Sequence, residues 1–389
     1  MISKLKWVIA CAIAVAWITE TAEAAEGNRN FHVVNRLRVE LDDNVQSAQT
    51  NKKDSIKIIE QLDLSYNVNV ENTFLSLRYQ PSFVWWDDRP QDDTDVHHAF
   101  DGSLNHIFSP RTSISFRDTL RFAERPDTID RGSVIRQDND FLYNSFVGSL
   151  SYLVAAETRL ETAGRVVSLD YDDAAAAAIR DYDIYVGGLT LRQTYSPETS
   201  VLGEFRWEEL QYEQAGRDSS TLFLGGGVEH TLSPTLLTSV RAGYEGREFD
   251  DTIKSRTDSP YLDLSLTMLP SQSTRLSSGV AFSQYESDIS PFASSKRTRV
   301  FASVAHDVSA RVAAFLTGAF TNNEYDRTET VTGDVPDGDE QWWQFSARAN
   351  YKINRNNLID LSYQFTDVES DLRTDFDRNR VSVGWVLSI

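Results

Sequence analysis

The sequence has little cysteine, methionine or proline: among 389 residues, 1 is Cys, 2 are Met and 10 are Pro. The single cysteine, Cys11, lies in an N-terminal apolar segment. If that segment is cleaved after Ala24, the mature chain has no thiol, which excludes a disulfide framework and a cysteine nucleophile. Basic residues are also scarce, because 38 Lys and Arg face 58 Asp and Glu and the formal net charge is -20.

Long apolar runs are absent beyond the N-terminal segment. Without a run of about eighteen apolar residues, no transmembrane helix is predicted. The mean hydropathy of -0.40 would ordinarily indicate a soluble protein. A transmembrane β-barrel escapes that criterion, since only alternate residues of each strand meet lipid.

The N-terminus has the pattern of a secretory signal peptide. Lys4 and Lys6 precede an apolar run from Trp7 to Ile18, and Ala22-Glu23-Ala24 forms a small-x-small cleavage site. We therefore predict a signal peptide at residues 1–24 and a single transmembrane β-barrel domain at residues 25–389. Val8-Ile9-Ala10-Cys11 loosely resembles a lipoprotein box, but the apolar run before it is too short.

The stretch from Arg380 to Ile389 alternates strictly between apolar and polar residues. One parity holds Val381, Val383, Trp385, Leu387 and Ile389. Period two predicts a strand with one apolar face, and the same pattern recurs along the chain. We predict an all-β fold: an antiparallel, up-and-down transmembrane barrel of the outer-membrane type with about eighteen strands, the last paired with the first.

Short turns and long polar loops alternate between the strands. The first strands are predicted at Phe31–Val45, Ser55–Val70 and Thr73–Trp86. The seventh strand (Thr158–Tyr171) and the eighth (Asp181–Tyr195) are the weakest predictions, because both faces are mixed. Between those two, the alanine run Ala174 to Ala178 could form a helical turn.

A weak repeat of the form His-x-apolar-Ser-Pro/Ala ends three strands at short turns. Its histidines are His106, His230 and His306, and each has the parity of the apolar residues. A metal site is one interpretation. Since the three lie on separate strands and face outward, we favour an amphipathic ring at the membrane–water boundary and predict no metal. Trp85, Trp207 and Trp343 lie where strands enter long loops and predict an aromatic girdle at the other rim; the alternative is core packing in a soluble β-sandwich.

The face opposite the apolar residues is rich in basic side chains. The predicted pore-lining residues are Arg36, Arg38, Arg78, Arg117, Arg121, Arg206, Arg241, Arg247, Arg299, Arg348 and Lys352. Acidic candidates on the same face are fewer: Glu40, Asp63, Glu204, Glu208, Glu245 and Asp263. Two interpretations stay open. The bases attract anions in a water-filled lumen, or they pair with the acids and stiffen the wall.

The acidic excess lies in the predicted loops. Examples are Asp87-Asp88, Asp92-Asp93, Asp250-Asp251, Asp334, Asp337 and Asp339-Glu340. Such runs are typical of a solvated surface. The functional alternative is divalent-cation bridging to an anionic surface glycolipid.

Catalytic signatures are missing. The sequence has no Gly-x-Ser-x-Gly and no His-Glu-x-x-His, and His97-His98 lies in no recognisable spacing. We therefore predict no enzyme, no catalytic residues and no cofactor. The chain is also too short to hold a globular plug besides this many strands, which disfavours an energy-coupled receptor.

The stretch Leu37-Arg38-Val39-Glu40-Leu41-Asp42-Asp43-Asn44-Val45, the His-x-apolar-Ser-Pro turns and the chain length resemble the β-barrel porin type 2 family. The resemblance implies an outer-membrane barrel and, because family members often accompany exopolysaccharide genes, a role in polysaccharide export. It implies no catalytic residues. Many such barrels end in Phe, whereas this chain ends in Ile389 with the parity preserved.

We expect a porin or channel in the outer membrane of a Gram-negative-type bacterium. It would serve as a conduit for the export of exopolysaccharide or anionic solutes. The alternative is a non-conducting barrel that acts as a surface adhesin or assembly partner. Expected partners are outer-membrane lipid and lipopolysaccharide, the outer-membrane assembly machinery and an anionic polysaccharide; no nucleic acid is expected. Inward-folded loops could block the lumen.

Overall fold

The computed structural model describes residues 30–87, 93–123, 140–214, 216–250, 256–287, 289, 292, 294–325 and 337–389. The predicted signal peptide, residues 1–24, and the acidic positions Asp88, Asp92, Asp251 and Asp334 lie outside the described residues. The strands are β1 Phe31–Asp42, β2 Ser55–Val70, β3 Thr73–Trp86, β4 Thr94–Ser109, β5 Thr112–Ala123, β6 Phe141–Ala155, β7 Thr158–Tyr171, β8 Tyr182–Ser196, β9 Thr199–Tyr212, β10 Ser219–Ser233, β11 Leu236–Phe249, β12 Arg256–Ser271, β13 Thr274–Glu286, β14 Ser294–Ser309, β15 Val312–Tyr325, β16 Gly338–Lys352, β17 Asn357–Ser370 and β18 Phe376–Ser388.

The eighteen strands form one closed antiparallel barrel. Each strand pairs with its neighbours in sequence, and β1 also pairs with β18, with Leu37 opposite Trp385. This closure confirms the predicted fold. It also removes the free sheet edges that hydrocarbon would not tolerate. The first strand ends at Asp42 rather than at Val45.

The two faces of the wall differ as the alternation predicts. On β18, Val381, Val383 and Trp385 point outward and are 45%, 52% and 40% exposed, whereas Ser382 points inward and is 3% exposed. The outward apolar residues are exposed because lipid is their partner.

The Ser-Pro/Ala repeat has a local structural cause. At the turns that begin at Ser109, Ser233 and Ser309, the Ser Oγ accepts a hydrogen bond from the backbone N–H two residues on, at 3.2, 3.3 and 3.3 Å. This side-chain turn lets the chain reverse within a few residues. The repeat therefore builds the short turns at one end of the barrel.

The long loop between β7 and β8 contains one helix, α1 (Ala174–Arg180). Asp173 caps it by accepting from the backbone N–H of Ala175 and Ala176, at 3.1 and 2.9 Å. The alanine run thus forms the predicted helical turn. No helix in the described ranges is long and apolar enough to cross a membrane.

Where β1 meets β18 and β2, a buried ion network lies near the long-loop end. Asp42, 1% exposed, accepts from Lys57 Nζ at 2.7 Å and from Arg378 Nε at 2.9 Å. Lys57 also bonds Glu40 at 3.2 Å and lies 4.3 Å from the ring centroid of Trp86. This network joins residues from both ends of the described chain.

Two polar pairs lie on the outward face among apolar neighbours. Asn35 of β1 donates to Glu60 of β2, and Asn144 of β6 donates to Asp118 of β5 at 3.0 Å. Polar groups on a lipid-facing wall are costly unless they are hydrogen-bonded. Each carboxyl therefore has a carboxamide donor on the adjacent strand.

Candidate functional site

The eleven basic residues predicted to line the pore fall into two groups in the structure: those that form ion pairs and those that do not. Five of the eleven pair with carboxylates, two of them on the adjacent strand and three across β10, between β9 and β11. The pairs are Arg78 Nε with Asp63 at 3.0 Å, Arg121 with Asp101 at 2.7 Å, Arg206 with Glu245 at 3.2 Å, Arg241 with Glu204 at 3.0 Å and Arg247 with Glu208 at 3.2 Å. For these five the geometry matches the interpretation in which pairing stiffens the wall.

The Arg206–Glu245 pair also completes the wall. The β12–β13 ladder stops at Leu262–Phe282, so the backbone N–H of Gln284 has no ladder partner on β12. The Glu245 carboxylate, 2% exposed, accepts instead from the backbone N–H of Gln284 at 2.9 Å. A lumenal acid thus substitutes for a missing strand partner.

The other bases have no carboxylate partner among the described residues. In the part of the chain that the structure describes, Arg36, Arg38, Arg117, Arg348 and Lys352 form no ion pair. Arg299 lies 6.0 Å from the ring centroid of Phe301. Their charge is therefore available to solutes in the lumen.

Three of these unpaired arginines meet at one cavity of about 190 Å³ in the wall formed by β16, β17, β18, β1 and β2. Its lining residues are Arg36, Arg38, Ile59, Gln61, Arg348, Asn350, Leu358, Asp360 and Val386. The register explains the convergence: Arg36 lies opposite Val386 and Gln61, and Asp360 lies opposite Asn350. The sequence identified the three arginines but not their shared cavity.

Apolar side chains line the interior at the long-loop end from β6 to β9. The buried cluster comprises Phe141, Tyr143, Val167, Leu169, Tyr171, Ala176, Ile184, Leu210 and Tyr212. Helix α1 joins it through Ala176, which is 5% exposed. This cluster was not predicted; the mixed faces of the seventh and eighth strands were its signal in the sequence.

Arg217 connects three loops over the same end. Its guanidinium donates to the carbonyl of Ile179 at 2.8 Å and to the carbonyl of Ser287 at 2.6 Å. It also lies 3.9 Å from the ring centroid of Tyr212, whose hydroxyl donates to Ser287 at 3.1 Å. These contacts connect the three loops to one another and to β9.

Asp181, between α1 and β8, has an altered acidity. Burial raises the pKa of this carboxyl; an N–H from Tyr171 lowers it, and the carboxylates of Asp170, Glu213 and Asp183 raise it further. The folded state therefore holds the proton more tightly than the unfolded chain does. The resulting stability is present below the unfolded pKa and is lost as pH rises through the folded pKa.

Asp181→Asn is expected to remove the loss of folding stability that accompanies the rise in pH. Asn keeps the Oδ1 acceptor for the Tyr171 N–H, a bond of 2.9 Å, without the charge. The melting temperature of Asp181→Asn relative to the parent protein should rise as pH increases from about 4 to about 7. Thermal unfolding in detergent measures it, with the exposed Asp172→Asn as control. A relative melting temperature that falls with pH would contradict the assignment.

The predicted girdle residues lie at opposite ends of the outer surface. His106, His230 and His306 each lie beside a short turn, where Nδ1 is hydrogen-bonded to Oγ1 of Thr73, Thr199 and Thr274 at 2.8, 2.8 and 2.9 Å. Trp85, Trp207 and Trp343 face outward toward the long-loop end, and the last two are 41% and 52% exposed. Their interfacial role stays a prediction.

The histidines do not converge, since they lie on β4, β10 and β14. Within the described ranges, no group of three or more His, Cys, Asp or Glu side chains is placed to hold a metal ion. The outward Asn35–Glu60 and Asn144–Asp118 pairs were not predicted, because a single polar residue in an apolar face does not disturb the period-two pattern of its strand.

Comparison with known proteins gives a family and a set of structural neighbours. The family model described as "Putative beta-barrel porin 2" matches residues 32–388. No curated protein matches the chain. Among solved structures, Pseudomonas aeruginosa OccK2 (OpdF) is 11% identical with a TM-score of 0.51, over 92% of this chain and 98% of that chain.

Two further crystal structures are similar. A BenF-like porin from Pseudomonas fluorescens Pf-5 and Pseudomonas aeruginosa OpdK with vanillate are each 11% identical, with a TM-score of 0.50, over 92% of this chain and 99% of theirs. At such identities the likeness shows the fold alone. Combined with the family match, the closed barrel identifies the chain as a member of the β-barrel porin 2 family: an outer-membrane porin of Gram-negative type and not an enzyme.

Proposed function

We propose that this porin is a channel that prefers anionic solutes, either small anions or an anionic glycan. The observation that carries the proposal is the cluster of Arg36, Arg38 and Arg348, which have no ion-pair partner in the described part of the chain. Guanidinium groups in a water-filled lumen lower the energy of a passing anion and raise that of a cation.

The paired arginines contribute less to this preference. An arginine beside a carboxylate, such as Arg121 beside Asp101, presents little net charge to a solute. Arg117 and Lys352 add unpaired charge elsewhere on the same interior face. The expected selectivity therefore depends on the unpaired group rather than on the total number of basic residues.

Replacing all three clustered arginines by glutamine is expected to lower the anion preference. The reversal potential across a planar bilayer with a salt gradient measures it. The parent channel should show an anion-selective potential, and Arg36→Gln/Arg38→Gln/Arg348→Gln should move it toward zero or to the cation-selective sign, because three positive charges leave the lumen.

The matched control removes three positive charges at the short turns. Arg111, Arg311 and Arg355 lie in the turns after β4, β14 and β16. Changing all three to glutamine should leave the reversal potential nearly unchanged. A cation-selective parent channel would refute the proposal.

Polysaccharide export is the finer version of this proposal. Its support is the resemblance to a family often found with exopolysaccharide genes and the anion-attracting cluster. Two structural neighbours were crystallised with carboxylates, glucuronate and vanillate. A deletion strain whose extracellular polysaccharide is unchanged in amount and length would exclude the export version while leaving the small-anion version standing.

A second candidate is the non-conducting barrel, with its acidic loops as an adhesive surface. The apolar packing of α1 inside the long-loop end favours it. Single-channel recording separates the two candidates, since a closed barrel passes no steady current.

A further inference from the structure

We propose that the cavity between β16 and β2 is a binding subsite for a single hydroxylated carboxylate of the sugar-acid class. The inference rests on the proposed anion preference of the lumen and names the solute class of that site. It is carried by the residues that share the cavity and by Gly384 beside it.

The charges around the cavity require an anion that also has hydroxyl groups. Arg36, Arg38 and Arg348 supply three guanidinium groups, and Asp360 supplies one carboxylate. Guanidinium matches the planar, two-oxygen geometry of a carboxylate. Asp360 repels a bare anion but accepts from a hydroxyl donor, so a carboxylate that bears hydroxyls fits better than sulfate or phosphate.

The remaining lining fits the two kinds of surface on a sugar ring. Gln61 and Asn350 offer amide donors and acceptors, which hydroxyl groups use well. Ile59, Leu358 and Val386 offer an apolar surface, against which the C–H face of a pyranose ring can pack. Such a mixture distinguishes a sugar acid from a small inorganic anion.

The space itself depends on Gly384 of β18. Gly384 lies opposite Arg38 on β1 and opposite Asp360 on β17. A Cβ at this glycine would collide with Oδ1 of Asp360, so the carboxylate occupies the place where a side chain would be. A larger residue must displace Asp360 into the cavity or out of its position.

The volume suits one small unit as the occupant. The cavity of about 190 Å³ is smaller than the roughly 300–1,000 Å³ of pockets for drug-sized ligands. One monosaccharide acid, or one unit of an acidic polysaccharide, is the appropriate size. These two sources share the recognition chemistry and are separated by the experiment.

Calorimetric titration of the detergent-purified porin tests the subsite without requiring conduction. Galacturonate is expected to bind with saturation, whereas galactose and inorganic phosphate at equal concentration are not. Arg38→Gln should weaken galacturonate binding about tenfold or more, the loss expected when one charge-assisted hydrogen-bonding group is removed. Trigalacturonate binding more tightly than galacturonate would indicate a polymer unit; equal or weaker binding would indicate the free acid.

Gly384→Ala supplies the sharper variant, because it keeps every charge. It should weaken galacturonate binding as much as Arg38→Gln does, because Asp360 must move from its position in the cavity. Gly188→Ala is the matched control. Its added Cβ meets only backbone oxygens, at 3.5 and 4.0 Å, so binding should be unchanged.

Asp360→Asn tests the role assigned to the carboxylate. With the repulsion removed, phosphate should begin to bind, and the preference for galacturonate over phosphate should narrow. The subsite would be overturned if phosphate bound to the parent protein with the same affinity as galacturonate. It would also be overturned if Gly384→Ala and the parent had equal affinity for galacturonate. A cation-selective reversal potential would instead overturn the proposed function, so the two failures are distinct.

Discussion

Ala176→Arg is expected to raise the single-channel conductance by about twofold or more, since conductance follows the width of the water-filled path. Ala176 is the residue of α1 that is buried in the interior apolar cluster. An arginine cannot remain there without a partner, so the helix should leave the cluster. The long-loop end would then open, and current fluctuations should become larger.

Ala175→Arg is the matched control for this experiment. Ala175 precedes Ala176 on the same helix and is exposed, so the same side chain enters water and α1 keeps its place. The conductance of Ala175→Arg should equal that of the parent. Equal conductance in all three proteins would show that the apolar cluster does not limit the current.

Asp42→Ala is expected to destabilise the barrel by about 3–5 kcal/mol, the range for removing one partner of a buried ion pair. Asp42 neutralises Lys57 and Arg378 at once, and it is 1% exposed. Without it, Lys57 keeps only Glu40, and the β1–β18 seam loses its central anion. Urea unfolding in detergent micelles, followed by tryptophan fluorescence, measures the change.

Asp377→Ala is the control at the same seam. The Asp377 side chain pairs with Lys52, but it is 45% exposed, so its contribution should be about 0–1 kcal/mol. A loss for Asp42→Ala no greater than that for Asp377→Ala would mean that the buried network is not a principal support of closure.

The fold was predictable because one physical rule repeats in every strand. Lipid outside and water inside impose period two, and residues such as Val381, Val383 and Trp385 record it directly. Strand number, closure and the boundaries of β2, β3 and β7 followed from that rule. The Ser-Pro turns added the positions at which the chain reverses.

The rule failed where the interior face is apolar. Val167 and Ile184 point inward yet are 0% and 1% exposed, because they pack in the apolar cluster that α1 joins. A strand that is buried on both faces has no clean alternation. Parity therefore could not assign faces on β7 and β8, and the packed long-loop end stayed hidden.

The candidate site was predictable only in part for a similar reason. Parity places Arg38, Arg78 and Arg348 on the same face but does not show which carboxylate lies opposite each. Arg78 meets Asp63 through the β2–β3 register, while Arg38 faces Gly384. Pairing depends on register across strands that are distant in sequence, and a single sequence does not contain that information directly.

The β1–β18 pairing affects how firmly the first and last strands of the barrel are held. In most soluble domains the first and last segments fray readily, because water satisfies the groups they release. Here β1 and β18 are adjacent strands of one closed barrel. Separating them would leave rows of backbone N–H and C=O groups facing hydrocarbon. The first and last strands of the barrel should accordingly be held as firmly as the strands between them. We therefore expect that the barrel does not unfold by fraying from either of these strands.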